Sequence, residues 1–154
     1  MLDFNQKIAV FRLCLRSSTI KVDEVINWAD ASIANLDEPN ECLLELSNLK
    51  KGDLNKVITV LNNYAKDLNN EIVWQTAYGV IGQFYNCQKL NLKNSCYAIY
   101  YIALMIRNQT GQEIAGFSLD DSYSIYGDKM KNELIVCVSP FLSFGENFIA
   151  TELR

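Results

Sequence analysis

Between residues 54 and 68 the apolar side chains return every third or fourth place: Leu54, Val57, Ile58, Leu61, Tyr64, Ala65 and Leu68. That spacing follows the 3.6-residue turn of an α-helix and not the two-residue alternation of a strand. A helix so patterned has one apolar side, which must be buried against another element. The same pattern recurs along most of the chain. Helices packed on helices are the architecture that satisfies it.

Further helices follow from the same reading. Residues 2–16 place Phe4, Ile8, Phe11 and Leu15 on one stripe, and Ser17-Ser18-Thr19 breaks it. Residues 22–36 put Val22, Val25, Ile26, Ala29, Ile33 and Leu36 inward, with Asp23 and Glu24 in the first turn, where the helix dipole favours acid. Pro39 suits the first position of a short helix over 39–49, with Cys42, Leu43 and Leu46 inward. Lys50-Lys51-Gly52 reads as its stop and Asp53 as the next N-cap. After Asn69-Asn70, a fifth helix runs from 71 to 85 or 90. It carries Gly79 and Gly82, each costing about 1 kcal/mol relative to Ala. Either a neighbouring helix comes close there or the helix kinks. A sixth helix over 95–111 is apolar nearly all round, as the most buried helix would be, and its Tyr97, Tyr100 and Tyr101 read as core.

The chain weakens in pattern after Gly116. Ser118 and Asp121 are spaced like a capping box, which predicts a short helix. Residues 134–138 are strand or buried helix by periodicity alone, and the surrounding pattern favours helix. The expectation is an all-α single-domain bundle of about six antiparallel helices spanning 1–154, with solenoid-like helical hairpins as the variant. One faint echo pairs residues 24–33, around Trp28, with residues 71–80, around Trp74.

Composition narrows the chemistry. The 154 residues contain no histidine, so no Ser-His-Asp or Cys-His arrangement can form. There is no glycine-rich phosphate loop and no close cysteine pair. Cys14, Cys42, Cys87, Cys96 and Cys137 are odd in number and irregular in spacing, so they read as buried free thiols. Reduced thiols and the lack of an apolar signal region in residues 1–16 point to the cytoplasm. The longest uncharged apolar stretch, 95–106, is too short to span a bilayer, so no membrane association is expected. A net charge of -4 argues against nucleic acid as partner and allows a basic protein. Carboxylate pairs remain as the one catalytic option, yet a di-metal bundle normally adds a Glu-x-x-His motif that this chain lacks. No cofactor and no metal are expected.

The acidic and aromatic clusters are therefore read as a docking surface. Asp37, Glu38, Glu41 and Glu45 form one group, and Asp120, Asp121, Tyr123 and Tyr126 the other. Tyrosine beside acid is a common composition for a protein-binding patch. A solvated acidic face is the plainer alternative.

Trp28-Ala29-Asp30, then Leu36-Asp37-Glu38-Pro39, then Leu43-Leu44-Glu45-Leu46-Ser47 and a fresh helix resemble a known pattern within residues 22–65. It is similar to small helical bacterial immunity proteins carried beside polymorphic or contact-dependent toxins. The resemblance implies a cytosolic, non-enzymatic protein that neutralises a toxin domain by covering its active site or a nearby surface. It supplies no catalytic residues. A helical scaffold holding a peptide in a tryptophan-lined groove is the second expectation, and a carboxylate–metal enzyme the third.

Overall fold

The computed structural model describes residues 1–49, 51–65 and 70–154. Every regular element among them is helical: α1 (Phe4–Arg16), α2 (Val22–Ala34), α3 (Glu41–Ser47), α4 (Leu54–Tyr64), α5 (Glu71–Asn86), α6 (Leu92–Thr110), α7 (Leu119–Tyr126), α8 (Lys131–Val138) and α9 (Leu142–Glu152). Short 3₁₀ turns, Gly127–Met130 and Ser139–Phe141, join the last three helices. The all-α expectation holds. The count of about six falls short because residues 117–154 form three helices, with 134–138 lying in α8.

The helix starts show why the segments fold where they do. Asp3 and Gln6 form a reciprocal capping box at α1, with Gln6 N–H donating to Asp3 at 2.8 Å and Asp3 N–H to Gln6 at 2.9 Å. Asn40, and not Pro39, begins α3, since its side chain accepts from Leu43 N–H at 3.0 Å. Asn91 does the same for Asn94 N–H at 2.8 Å, which moves the start of α6 forward from Ser95 to Leu92. Two expected caps do not form. Asp53 makes no capping hydrogen bond and pairs instead with Lys56 at 3.1 Å, and Ser118 makes none at α7. The expected stop at Lys50 and the end of α4 at Leu68-Asn69 lie outside the described residues.

The most enclosed helices are α1 and α5, not α6. Residues 8–15 of α1 are buried on every side, and α5 buries ten of its sixteen residues. In α6, Ala98, Ile99, Ile102 and Ala103 are buried, but Tyr97 is 41% exposed and Tyr100 and Tyr101 are half-buried. The long phenols lie at the edge of the helix because the small residues beside them take the tight inner face.

α1 and α5 also end in the same way. Ser18 and Gln88, 70 residues apart, both take the left-handed conformation, with φ of 60° and 62°. After α1, Thr19 N–H and Ile20 N–H donate to Cys14 O at 2.8 and 3.2 Å. After α5, Lys89 N–H and Leu90 N–H donate to Phe84 O at 2.8 and 3.0 Å. Each is a Schellman-type helix end closing the last carbonyls. The likeness is confined to the helix ends, since α5 packs on α6 whereas α1 packs on α4 and α5. The tryptophan echo is not part of it, since Trp28 lies on α2 and Trp74 on α5. Lys89, in the second of these turns, bonds to Glu24 of α2.

The chain closes by laying α9 antiparallel on α5. A Cβ at Gly79 would sit 2.1 Å from Phe141 O and 2.5 Å from Gly145 N, and one at Gly145 would sit 2.0 Å from Gly79 C. Gly82 faces Leu142 and Val138 in the same way, at 2.7 and 2.9 Å. Close approach, and not a kink, is the reason for the helical glycines. Phe148 of α9 then stacks on Phe11 with ring centroids 5.0 Å apart, and Phe11 on Trp28 at 4.3 Å.

The segment Leu119–Glu152 has a mean hydropathy of 1.5 in its most apolar stretch, long and apolar enough to cross a membrane. The uncharged run 134–145 is as long as the 95–106 run singled out from the sequence. In the fold it is broken by the turn at Ser139–Phe141; Leu134, Val138 and Gly145 are buried, Ile135 and Val136 are exposed, and 22% of the apolar stretch is buried.

Candidate functional site

The first acidic group stands where α2 passes into α3. α2 ends at Ala34 with Asn35 as its C-cap, and Pro39 disfavours helix at Glu38, so the chain crosses to α3 as a loop. Asp37 and Glu38 are exposed on that loop, and Glu41 is exposed on the first turn of α3. The opposite side of α3 buries Cys42, Leu43 and Leu46. Exposed Leu36 and Leu44 flank the acids. Ser47 donates to Asp30, which ties α3 back to α2.

Glu45 has a different role from the one expected. It is half-buried and accepts a hydrogen bond from the Tyr64 hydroxyl at 2.8 Å, joining α3 to α4. That hydrogen bond is the largest cause pushing the Tyr64 phenol up to about 12, with desolvation and the Glu41 and Glu45 charges adding to it. Glu45 is therefore a structural acceptor.

The second group stands on α7. Gly116, at φ 102°, turns the chain beneath it, where a Cβ would lie 2.2 Å from Ile99 Cγ2. The Tyr78 hydroxyl fixes the same turn by donating to Ala115 O at 2.7 Å. Leu119 is buried, Asp120 is half-buried and Asp121 is exposed. Tyr123 packs against the core, whereas Tyr126 is 58% exposed. Helix periodicity does not account for the split, since Leu119, Tyr123 and Tyr126 fall at i, i+4 and i+7 on one stripe; Tyr126 is the last residue of α7 and faces solvent there.

The eight residues thus occupy two places. α3 packs on α2 and α4, α7 packs on α6, and no substantial contact joins α3 to α7. Asp37, Glu38, Glu41, Asp121 and Tyr126 face solvent. Among the described residues, none of the acids in either group forms an ion pair.

Sequence reasoning missed the apolar neighbours of the second group. Ile125 is 74% exposed and Val136 72%, with Ile135 also exposed. The signal was available in part. Ile125 is out of register with Leu119 and Tyr123, so it could not share their buried face. Two polar networks were missed altogether. Glu152 holds the Lys7 ammonium at 2.7 Å and accepts from Trp28 Nε1–H at 2.8 Å. It stands at the polar end of a groove of about 720 Å³ between α1, α5 and α9, walled by Leu2, Ile72, Phe144 and Phe148. Arg12 is buried between α1 and α4 and donates through Nε to Asn62.

The thiols are all unpaired, and they differ. Cys14, Cys42 and Cys96 are buried as expected, Cys137 is half-buried, and Cys87 is exposed at the end of α5. Burial pushes Cys42 up to about 12 and Cys96 to about 11, and drives Cys14 further in the same direction. Those thiols are held in their neutral, unreactive form. Among the described residues no three cysteine, aspartate or glutamate side chains converge as metal ligands would. Both indoles are buried, at 6% and 9% exposure, so tryptophan lines no open groove.

No family model, curated protein or solved structure matches this chain.

Proposed function

We propose that this chain is a non-enzymatic protein-binding module that docks a basic partner through its exposed acids. In its sharpest form it is a cytoplasmic immunity protein of a bacterial contact-dependent or polymorphic toxin system, covering a nuclease-like toxin domain. The observation that carries the reading is the set of exposed carboxylates with no ion pair among the described residues: Asp37, Glu38 and Glu41 on one edge and Asp121 on another. Unpaired exposed charge of one sign lengthens the reach of the protein's field and speeds encounter with an opposite charge. Tyr126, Ile125 and Val136 supply the apolar and aromatic surface that a docked interface would bury.

The resemblance over residues 22–65 supports the same role, since it places Asp37, Glu38 and Glu41 in the shared stretch. Neutralisation requires no chemistry from this chain. It requires a rigid frame, which the glycine-tight α5–α9 packing supplies.

The test is capture from the native cell with the full chain as bait, at low and then moderate salt. The expected result is a basic protein that elutes as salt rises and whose own activity this chain inhibits in proportion. A captured partner that stays fully active when saturated with this chain refutes neutralisation. Capture that is indifferent to salt refutes acidic docking.

A further inference from the structure

Arg12 stands out in a chain with 18 acidic and 14 basic residues. It is only 7% exposed, yet no carboxylate among the described residues pairs with it. Its Nε donates to Asn62, while Nη1 is buried without any acceptor. A buried guanidinium lacking a counter-charge is disfavoured, and an apolar side chain of similar length would pack there more favourably. Something other than packing is needed to explain it.

The surroundings indicate what. Arg16 lies one turn along the same face of α1 and is also without an ion pair among the described residues. Its guanidinium stands over the Tyr101 ring, 6.0 Å from the centroid. Tyr97 and Tyr101 lie side by side on α6 with centroids 6.1 Å apart. Burial and the Arg16 charge both lower the Arg12 pKa, the response of a cation held beside another cation. Two guanidinium groups one turn apart, neither ion-paired among the described residues and one with a buried donor lacking an acceptor, suit an oxyanion.

We infer that Arg12 and Arg16, framed by Asn62, Tyr97 and Tyr101, form a binding site for an oxyanion ligand, a phosphate or carboxylate group. The rim is open, because Asn62 and Tyr97 are exposed and Arg16 is half-buried. The ligand enters over Arg16, and side-chain movement at that rim brings an oxygen to the Arg12 Nη1 donor. Its charge compensates both arginines, so binding stabilises the fold. The site is independent of the acidic docking surface.

The experiment is thermal unfolding at constant ionic strength, replacing chloride by inorganic pyrophosphate or by citrate. Wild type is compared with Arg12→Met and Arg16→Gln. Multivalent anions also stabilise proteins by exclusion from their surface, and that part is common to all three proteins. The expected result is an additional, saturating rise in wild-type Tm that is reduced in Arg16→Gln and absent in Arg12→Met. A response to pyrophosphate alone identifies a phosphate ligand, and a response to citrate alone a carboxylate. Equal rises in wild type and Arg16→Gln overturn the inference, as does no rise in wild type. Arg16 is partly exposed, so its variant decides the question even if Arg12→Met fails to fold.

Discussion

Gly79→Ala is the substitution whose cost is most directly legible in the packing. The new methyl would lie 2.1 Å from Phe141 O and 2.5 Å from Gly145 N, where carbon contacts normally begin near 3.5 Å. Both obstacles are backbone, so no rotamer change relieves them. α9 has to move outward by more than about 1 Å, loosening Phe148 from Phe11 and straining the Glu152 bonds to Lys7 and Trp28. Overpacking a core costs about 1–3 kcal/mol and more where nothing can give. A helical Gly→Ala change returns about 1 kcal/mol in propensity. With two backbone obstacles the cost sits at the top of that range, about 3 kcal/mol, so the net loss is about 2 kcal/mol, a large part of a typical total of ~5–15 kcal/mol. Gly82→Ala meets the flexible Leu142 and Val138 side chains and should cost about 1 kcal/mol. Urea unfolding followed by the fluorescence of the two buried tryptophans measures both. Because Gly79 and Gly145 touch each other, the double Ala variant should cost less than the sum of the singles. A Gly79→Ala protein within about 0.5 kcal/mol of wild type would refute the close-packed α5–α9 contact.

Other consequences are open to measurement. Ser18→Gly and Gln88→Gly each relieve a left-handed residue in an exposed Schellman turn, and each should raise stability by about 0.5–1 kcal/mol in the same urea assay. The Tyr64 phenol is raised from its ordinary value to about 12, so its neutral form is favoured in the folded state. The stability it contributes is whole below about pH 10, the unfolded value, and is lost as pH rises towards 12. Tyrosinate absorbance should accordingly lose a phenol titrating near pH 12 in Tyr64→Phe, and Glu45→Gln should bring that titration earlier, while the buried Tyr78, pushed up further by desolvation, still ionises last in both. With a thiol-specific reagent at neutral pH, Cys87 should react first and Cys14, Cys42 and Cys96 only on unfolding. Fast labelling that survives Cys87→Ser combined with Cys137→Ser would contradict the burial of the other three.

Helix existence was legible wherever one apolar stripe ran for several turns, as in α1, α2 and α4. It was also legible in Gly79 and Gly82, because two costly residues in one helix need a packing reason. Ends were less so. Asn40 and Asn91 compete with Pro39 and Ser95 as starts, and only the hydrogen bond made by each side chain decides between them. The matching ends of α1 and α5 escaped because their mark is a backbone conformation at Ser18 and Gln88, residues of different type. The acidic residues of the candidate surface could be named, but not their partition. Glu45 differs from Glu41 only in having Tyr64 within reach, a contact made across 19 residues of chain. The uncompensated burial of Arg12 likewise depends on three helices meeting, and no local pattern carries it.

The most direct test of acidic docking is the association rate of the captured partner as a function of ionic strength. It should be measured for wild type and for a variant with Asp37, Glu38, Glu41 and Asp121 each changed to Lys. All four are exposed and unpaired, so the variant should fold with near-normal stability. Electrostatic steering predicts a wild-type rate that falls steeply with salt, and a variant that associates at least tenfold more slowly with a flat or inverted salt dependence. Identical rates and slopes for the two proteins would contradict docking through these carboxylates.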